Sequence, residues 1–162
     1  MSYIIPSGGV AYDQALEDIF QAFIKGVTGL SGKMIRPRYQ NPPPSMPAVG
    51  VNWVAFNVKA TFADDSPSFN ISMTENTSSR HEELEVFLSF YGDQGQHYAN
   101  LFKDGTAIPQ NIAQLKQKKI NFIECRKIQT VPDFLNQQYV HRYDVVAIYT
   151  RKTSRSYALN QE

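Results

Sequence analysis

The sequence predicts an α+β domain: an antiparallel sheet of about four main strands, with an N-terminal helix and a central helix pair packed on one face. Three observations predict it. A stripe at 3–4 spacing, Leu16, Ile19, Phe20, Phe23, Ile24 and Val27, marks an amphipathic helix near the start. Residues 84–115 read as a strand running straight into helical sequence, first with period 2 and then with period 3.6. Two further alternating runs, 51–63 and 138–151, and a shorter apolar run at 120–128, supply the other strands. Helices between antiparallel strands, without a βαβ rhythm, are the α+β pattern.

The first helix spans about 11–27. Gln14, Glu17, Asp18, Gln21 and Lys25 lie opposite the apolar stripe, with Asp13, Glu17 and Asp18 toward the positive end of the dipole and Lys25 toward the negative end. Gly26 and Gly29 stop it. Residues 33–50 contain Pro37, Pro42, Pro43, Pro44 and Pro47, which exclude a helix or a central strand. They predict a proline-rich extended loop, partly polyproline II.

In the strand at 51–63, Val54, Phe56, Val58, Ala60 and Phe62 face one way and Trp53, Ala55, Asn57, Lys59 and Thr61 the other. Pro67 marks a turn, 69–74 is a candidate short strand, and 75–80 reads as a mobile polar tip without a core pattern. Leu84, Val86, Leu88 and Phe90 then alternate with Glu85, Phe87, Ser89 and Tyr91. Tyr98, Leu101 and Phe102 follow at helical spacing, Gly105 closes that helix, and Pro109 opens the next.

The strand at 120–128 puts Ile120, Phe122 and Glu124 on one face, and 129–137 reads as a loop. The last strand puts Val140, Val146 and Ile148 on one face and Tyr139, Tyr143, Val145, Ala147 and Tyr149 on the other. Residues 152–162 read as a flexible tail, and 1–162 as a single domain.

A hydrophobic content of 42% and a net charge of +1 describe an ordinary globule with no electrostatic demand for nucleic acid, membrane or acidic substrate. The single Cys125 excludes an intrachain disulfide and, in its apolar run, reads as a buried structural thiol of a reducing compartment. The opening residues lack the basic and apolar regions of a signal peptide, and no apolar run approaches the ~20 residues that span a bilayer. The expected compartment is the cytoplasm of the producing cell.

Chemical motifs are sparse. There is no phosphate-cradling glycine motif, and Ser7-Gly8-Gly9 reads as a helix-entry turn. His81, His97 and His141 lie far apart with no metal-ligand spacing, and no cofactor is implied. A Cys125/His141 nucleophilic pair is better explained by chance. Glu82, Glu83 and Glu85 read as a solvated edge. Lys116, Lys118 and Lys119 suit a helix C-terminus. Arg126 and Lys127, with Arg151, Lys152 and Arg155, are possible phosphate contacts, and they carry the alternative reading of a small nucleic-acid-binding module.

The aromatic pattern points elsewhere. Ten Phe, nine Tyr and one Trp exceed what one core face needs. Trp53, Phe87, Tyr91, Tyr139, Tyr143 and Tyr149 are expected on a second sheet face, where they would form a protein interface. The competing expectation is that the loop at 33–50 folds over that face.

LSFYG at 88–92, Tyr98-Ala99, DGTAIPQNIAQL at 104–115 and VPDFLNQQYVHRYDVVAIYTR at 131–151, together with the amphipathic opening helix and the NPPPSMP loop, resemble the neck or tail terminator proteins of long-tailed bacteriophages. The resemblance spans nearly the whole chain in order. It implies an α+β fold without enzymatic activity or cofactor. It further implies a homo-oligomeric ring, a hexamer, that caps the tail tube and joins it to the neck or head-completion protein, with DNA passing through the lumen. The location implied is the tail–neck junction of the virion, reached after assembly in the host cytoplasm. No family motif assigns interface residues.

Overall fold

The computed structural model describes residues 3–40, 42–62, 66–72, 75–135 and 137–158. Its elements run α1 (Asp13–Thr28), a 3-10 turn (Gly32–Met34), β1 (Ile35–Pro37), β2 (Trp53–Phe62), β3 (Ser68–Ile71) and β4 (Glu75–Tyr91). Then follow α2 (Gly95–Thr106), α3 (Pro109–Lys116), β5 (Ile120–Cys125), β6 (Gln129–Leu135) and β7 (Gln138–Ala158). The strands form one seven-stranded sheet of order β1-β2-β4-β7-β5, with β3 beside the first part of β4 and β6 beside the first part of β7.

The α+β class is as the sequence predicts, but the sheet is larger and mixed. The four predicted main strands are β2, β4, β5 and β7. The additions are short: β1, which pairs with β2 in parallel, and β6, while β3 at Ser68–Ile71 answers to the candidate short strand at 69–74, of which 73–74 lie outside the described residues. Pro37 in β1 and Pro132 in β6 suppress the strand signal, and both strands lie at sheet edges, where a missing N–H costs no ladder bond. The expected loop at 129–137 is therefore mostly strand.

Two boundaries also move. The expected polar tip at 75–80 is the first third of β4, and the expected flexible tail is, as far as Ala158, the end of β7. They pair with each other, from Glu75↔Ala158 to His81↔Lys152. Residues 159–162 of that expected tail lie outside the described residues. Backbone hydrogen bonds hold polar strands together without apolar alternation, so the period-2 signal is silent there. Ser79 and Thr153 are nonetheless buried, and Ser79 Oγ lies 3.1 Å from Ser154 Oγ.

The core lies between the helices and one sheet face. Leu84, Val86, Leu88 and Phe90 of β4 stand opposite Tyr149, Ala147, Val145 and Tyr143 of β7. Val54 and Phe56 of β2 continue the layer. Leu16, Phe20 and Ile24 of α1 and Ala99 and Phe102 of α2 close it from above, at about 1.5–3 kcal/mol for each large apolar side chain removed from water. Gly29 caps α1, its N–H donating to Lys25 O at 2.9 Å. Pro109 opens α3 where its missing N–H is not needed.

Candidate interaction surfaces

The six aromatic residues expected on a second sheet face do not share one. On β7 the odd-numbered residues face the helices, so Tyr143 and Tyr149 join the core while Val146 and Ile148 point the other way. Tyr149 is fully buried. Its ring packs against Phe20 at 5.3 Å and Phe122 at 5.6 Å, and its hydroxyl lies 2.5 Å from Thr106 Oγ1. Burial holds the phenol well above the ordinary tyrosine range. Tyr143 is half-buried, beside Gly95 at the start of α2. Alternation separates the two faces of a strand but does not say which one the helices cover.

Trp53, Phe87 and Tyr91 do lie on the face away from the helices, where the proline-rich segment closes over part of it. Trp53 stacks on Tyr91 with ring centroids 4.5 Å apart and planes within 10°. The Arg36 guanidinium sits 5.8 Å above the indole and donates to Ser45 O at 2.6 Å. Pro47, Val49 and Val51 on one side and Leu135 and Val140 on the other close around the pair, leaving a cavity of only about 20 Å³. Trp53 is 8% exposed and is part of the monomer's interior. The expectation that the loop would fold over this face holds at this position.

Phe87 is half-buried and, with Ala55 and Val146, floors a depression of about 460 Å³. The rim is a chain of polar contacts. Arg142 donates from Nε and Nη2 to the two carboxylate oxygens of Asp144, at 3.0 and 3.1 Å. Its third nitrogen reaches Asp133 at 3.5 Å, and Tyr91 donates to the same Asp133 oxygen at 3.4 Å. Ser89 donates to Asp144 at 2.7 Å and accepts from Arg38. Burial, followed by the nearby Asp133 carboxylate, raises the Tyr91 phenol. The bidentate pair fixes the Asp144 carboxylate within β7, and the Tyr91–Asp133 and Ser89–Asp144 hydrogen bonds tie the β6–β7 hairpin to β4. Ser89 is held between Arg38 and Asp144, as a structural link.

Tyr139 alone of the six is freely exposed, at 82%. It sits at the tip of the β6–β7 hairpin with its ring 5.0 Å from that of Phe134, which is also exposed. Phe134 escaped the sequence reading because it fell in a predicted loop. At the other end of the long β4–β7 ladder, Phe69 and Ile71 of β3 are exposed, as are Tyr3 and Ile5 ahead of α1. With β7 21 residues long, its two ends stand at most roughly 65–70 Å apart.

The basic residues do not gather. Arg151 is buried and paired with Glu82 at 3.0 Å, so Glu82 is not a solvated edge residue and Arg151 is not a phosphate contact. Arg155 donates to Tyr12 Oη at 2.5 Å. Arg126 pairs with Glu124 at 3.5 Å and hydrogen-bonds beside Val146, while Lys127 and Lys152 are exposed. Lys152 and Arg155 lie six and nine residues beyond Val146 on β7, roughly 20 and 30 Å away along the strand.

Cys125 pairs with Ala147, six strand residues from His141 or roughly 20 Å, so they form no nucleophilic pair. The thiol is half-buried against the core, and burial pushes its pKa from 9.0 up to about 11. Among the described residues no group of His, Cys, Asp and Glu has the arrangement of a metal site, and no helix is long and apolar enough to cross a membrane.

No curated protein matches the chain. The family model described as phage neck terminator protein matches residues 14–162, from the first turn of α1 through the whole of β7 and beyond. Matched over nearly its full length, the chain belongs to the phage neck terminator family.

Proposed function

We propose that this structural tail protein assembles as a closed homo-ring, of six copies, that caps the tail tube and joins it to the neck or head-completion protein. Family membership makes the chain a structural component of the tail–neck region of the virion, working against other tail and neck proteins. The number six and the capping role come from the resemblance.

The observation that carries the ring reading is the pair of exposed apolar clusters at opposite ends of β7 and the strands paired along it. Phe134 and Tyr139 mark one end, and Phe69 and Ile71 the other. A patch repeated on a two-fold axis would stop at a dimer, whereas two different patches at opposite ends support head-to-tail contacts that close into a ring. DNA passes through the lumen in this reading, without the basic groove that tight binding requires.

Electron microscopy of virions, with mass photometry of the purified chain at rising concentration, tests the proposal. The expected result is a sixfold ring at the head-proximal end of the tail tube, populated in solution only when concentrated. Virions without this protein at the tail–neck junction, or a purified chain that stops at a two-fold dimer, would overturn it.

A further inference from the structure

Beyond Arg151, β7 loses its outer partner: Ile120↔Arg151 is the last pairing with β5 in that direction. Among the described residues, the edge from Lys152 to Ala158 is met by one residue of the leading segment, Ser7. Ser7 N–H donates to Ser156 O at 2.7 Å and Ser156 N–H donates to Ser7 O at 3.0 Å, an isolated antiparallel bridge. Gly8 (φ +77°) and Gly9 (φ +131°) then turn the chain into α1 through conformations that L side chains rarely adopt.

Ahead of the bridge the strap 3–5 carries Tyr3 and Ile5, 102% and 87% exposed and at i, i+2 spacing, so in extended form they lie on one side. On the opposite edge of the same arm, β3 pairs only with β4 among the described residues, leaving its outer edge bare. It carries its own same-face pair, Phe69 and Ile71, at 58% and 69% exposure. Across the arm the order is Ser7, β7, β4, β3, so strap and β3 are separated by about three strand spacings, roughly 14 Å. Within one chain the two apolar pairs sit on opposite edges and do not meet.

We propose that the strap 3–5 of one copy lies along the free edge of β3 in a second copy, with Tyr3 and Ile5 packed against Phe69 and Ile71. This rests on the ring reading and deepens it by naming what meets Phe69 and Ile71 at each joint, which leaves Phe134 and Tyr139 to the rest of that joint. A strand added to a bare edge gains main-chain hydrogen bonds, and the apolar pairs set its register. Donor and acceptor edges differ, so each copy can give its strap to one neighbour and receive the strap of another, the head-to-tail arrangement that ring closure requires. Four side chains bury far less than the roughly 1,200–2,000 Å² of a stable interface, so the strap fastens a wider joint rather than making it alone.

The test uses paired cysteines in a Cys125→Ser background. One preparation carries Ile4→Cys and the other Asn70→Cys, which leaves both apolar pairs intact. Adjacent strands bring Cα atoms to about 4.5–5.5 Å, within disulfide range. Mild oxidation of the mixture should give at least a fivefold excess of the 4–70 cross-link over a control pairing Ile4→Cys with Met46→Cys on the exposed proline-rich loop. Adding Tyr3→Asp and Ile5→Asp should abolish that excess. A 4–70 yield no better than the control, or one dominated by 4–4 cross-links, overturns the strap contact even if microscopy shows a ring. Cross-linking without a closed ring would instead retain the contact and discard the ring.

Discussion

Glu82 and Arg151 face each other across the β4–β7 ladder as an ion pair of 3.0 Å, each side chain only 1% exposed. Arg151 also donates to Ala11 O at 2.7 Å and lies 5.2 Å from the ring of Tyr12. One buried guanidinium thus fastens the leading segment to the sheet just before α1. Glu82 Oε2 takes no hydrogen bond, so the pair is not fully satisfied. Such pairs are costly to break and gain little over an apolar replacement. Arg151→Ala should therefore lose about 3–5 kcal/mol in denaturant unfolding, while Glu82→Leu with Arg151→Met should recover most of it. A loss under about 1 kcal/mol for Arg151→Ala would show that the carboxylate reaches water.

Tyr149→Phe deletes the hydroxyl that meets Thr106 inside the core and leaves Thr106 Oγ1 buried without that partner. The expected loss is about 1–3 kcal/mol, read by thermal or denaturant unfolding. Assembly at saturating protein should be unchanged, because the residue touches no outer surface. A variant of native stability that fails to assemble would contradict this placement.

Trp53→Ala and Tyr139→Ala separate the buried aromatic from the exposed one. Removing the indole from between Tyr91 and the proline-rich loop should cost the monomer about 3 kcal/mol or more. Tyr139→Ala should change monomer stability by less than about 0.5 kcal/mol. Its effect should appear instead as a higher concentration threshold for ring formation in mass photometry. Equal melting temperatures for the two variants would be the refuting result.

Gly92 adopts φ +109°, and a Cβ there would lie 2.5 Å from both Asn52 Oδ1 and Val51 O. This turn carries β4 into α2 beneath the end of the proline-rich loop, and Asn52 Oδ1 accepts from Gln94 N–H at 2.7 Å. Gly92→Ala should destabilise by at least about 1–3 kcal/mol from backbone strain, with the clash adding to it. Chemical denaturation checks the value, and a neutral substitution would show that the turn relaxes.

Cys125 is a slow nucleophile by the direction of its shift. Desolvation favours the neutral thiol and raises the pKa from 9.0 to about 11, outweighing the nearby Lys103 ammonium. At pH 8 the thiolate fraction falls by about a hundredfold relative to an unperturbed thiol, and reaction with a thiol reagent should slow accordingly. The rate should climb with each pH unit up to about pH 11. Free-thiol rates at pH 8 in the folded protein would rule out the burial.

What the sequence determined by itself was each strongly periodic element. The α1 stripe, the alternation of β2 and β4, the α2–α3 break at Pro109 and the separation of faces on β7 are all local consequences of side-chain spacing. Tertiary structure alone decided what local spacing does not encode. It chose which face of β7 the helices cover, placing Tyr149 inside, because that depends on the register Leu84↔Tyr149 with a strand more than sixty residues away. It also paired the polar residues 75–81 with 152–158, because backbone hydrogen bonding needs a partner strand rather than an apolar pattern. Whether the proline-rich loop folds over the second face was left open by its sequence, and only the stacked pair Trp53 and Tyr91 fixed where it closes. The strap and the bare edge of β3 became visible as opposite edges only once the arm between them was built.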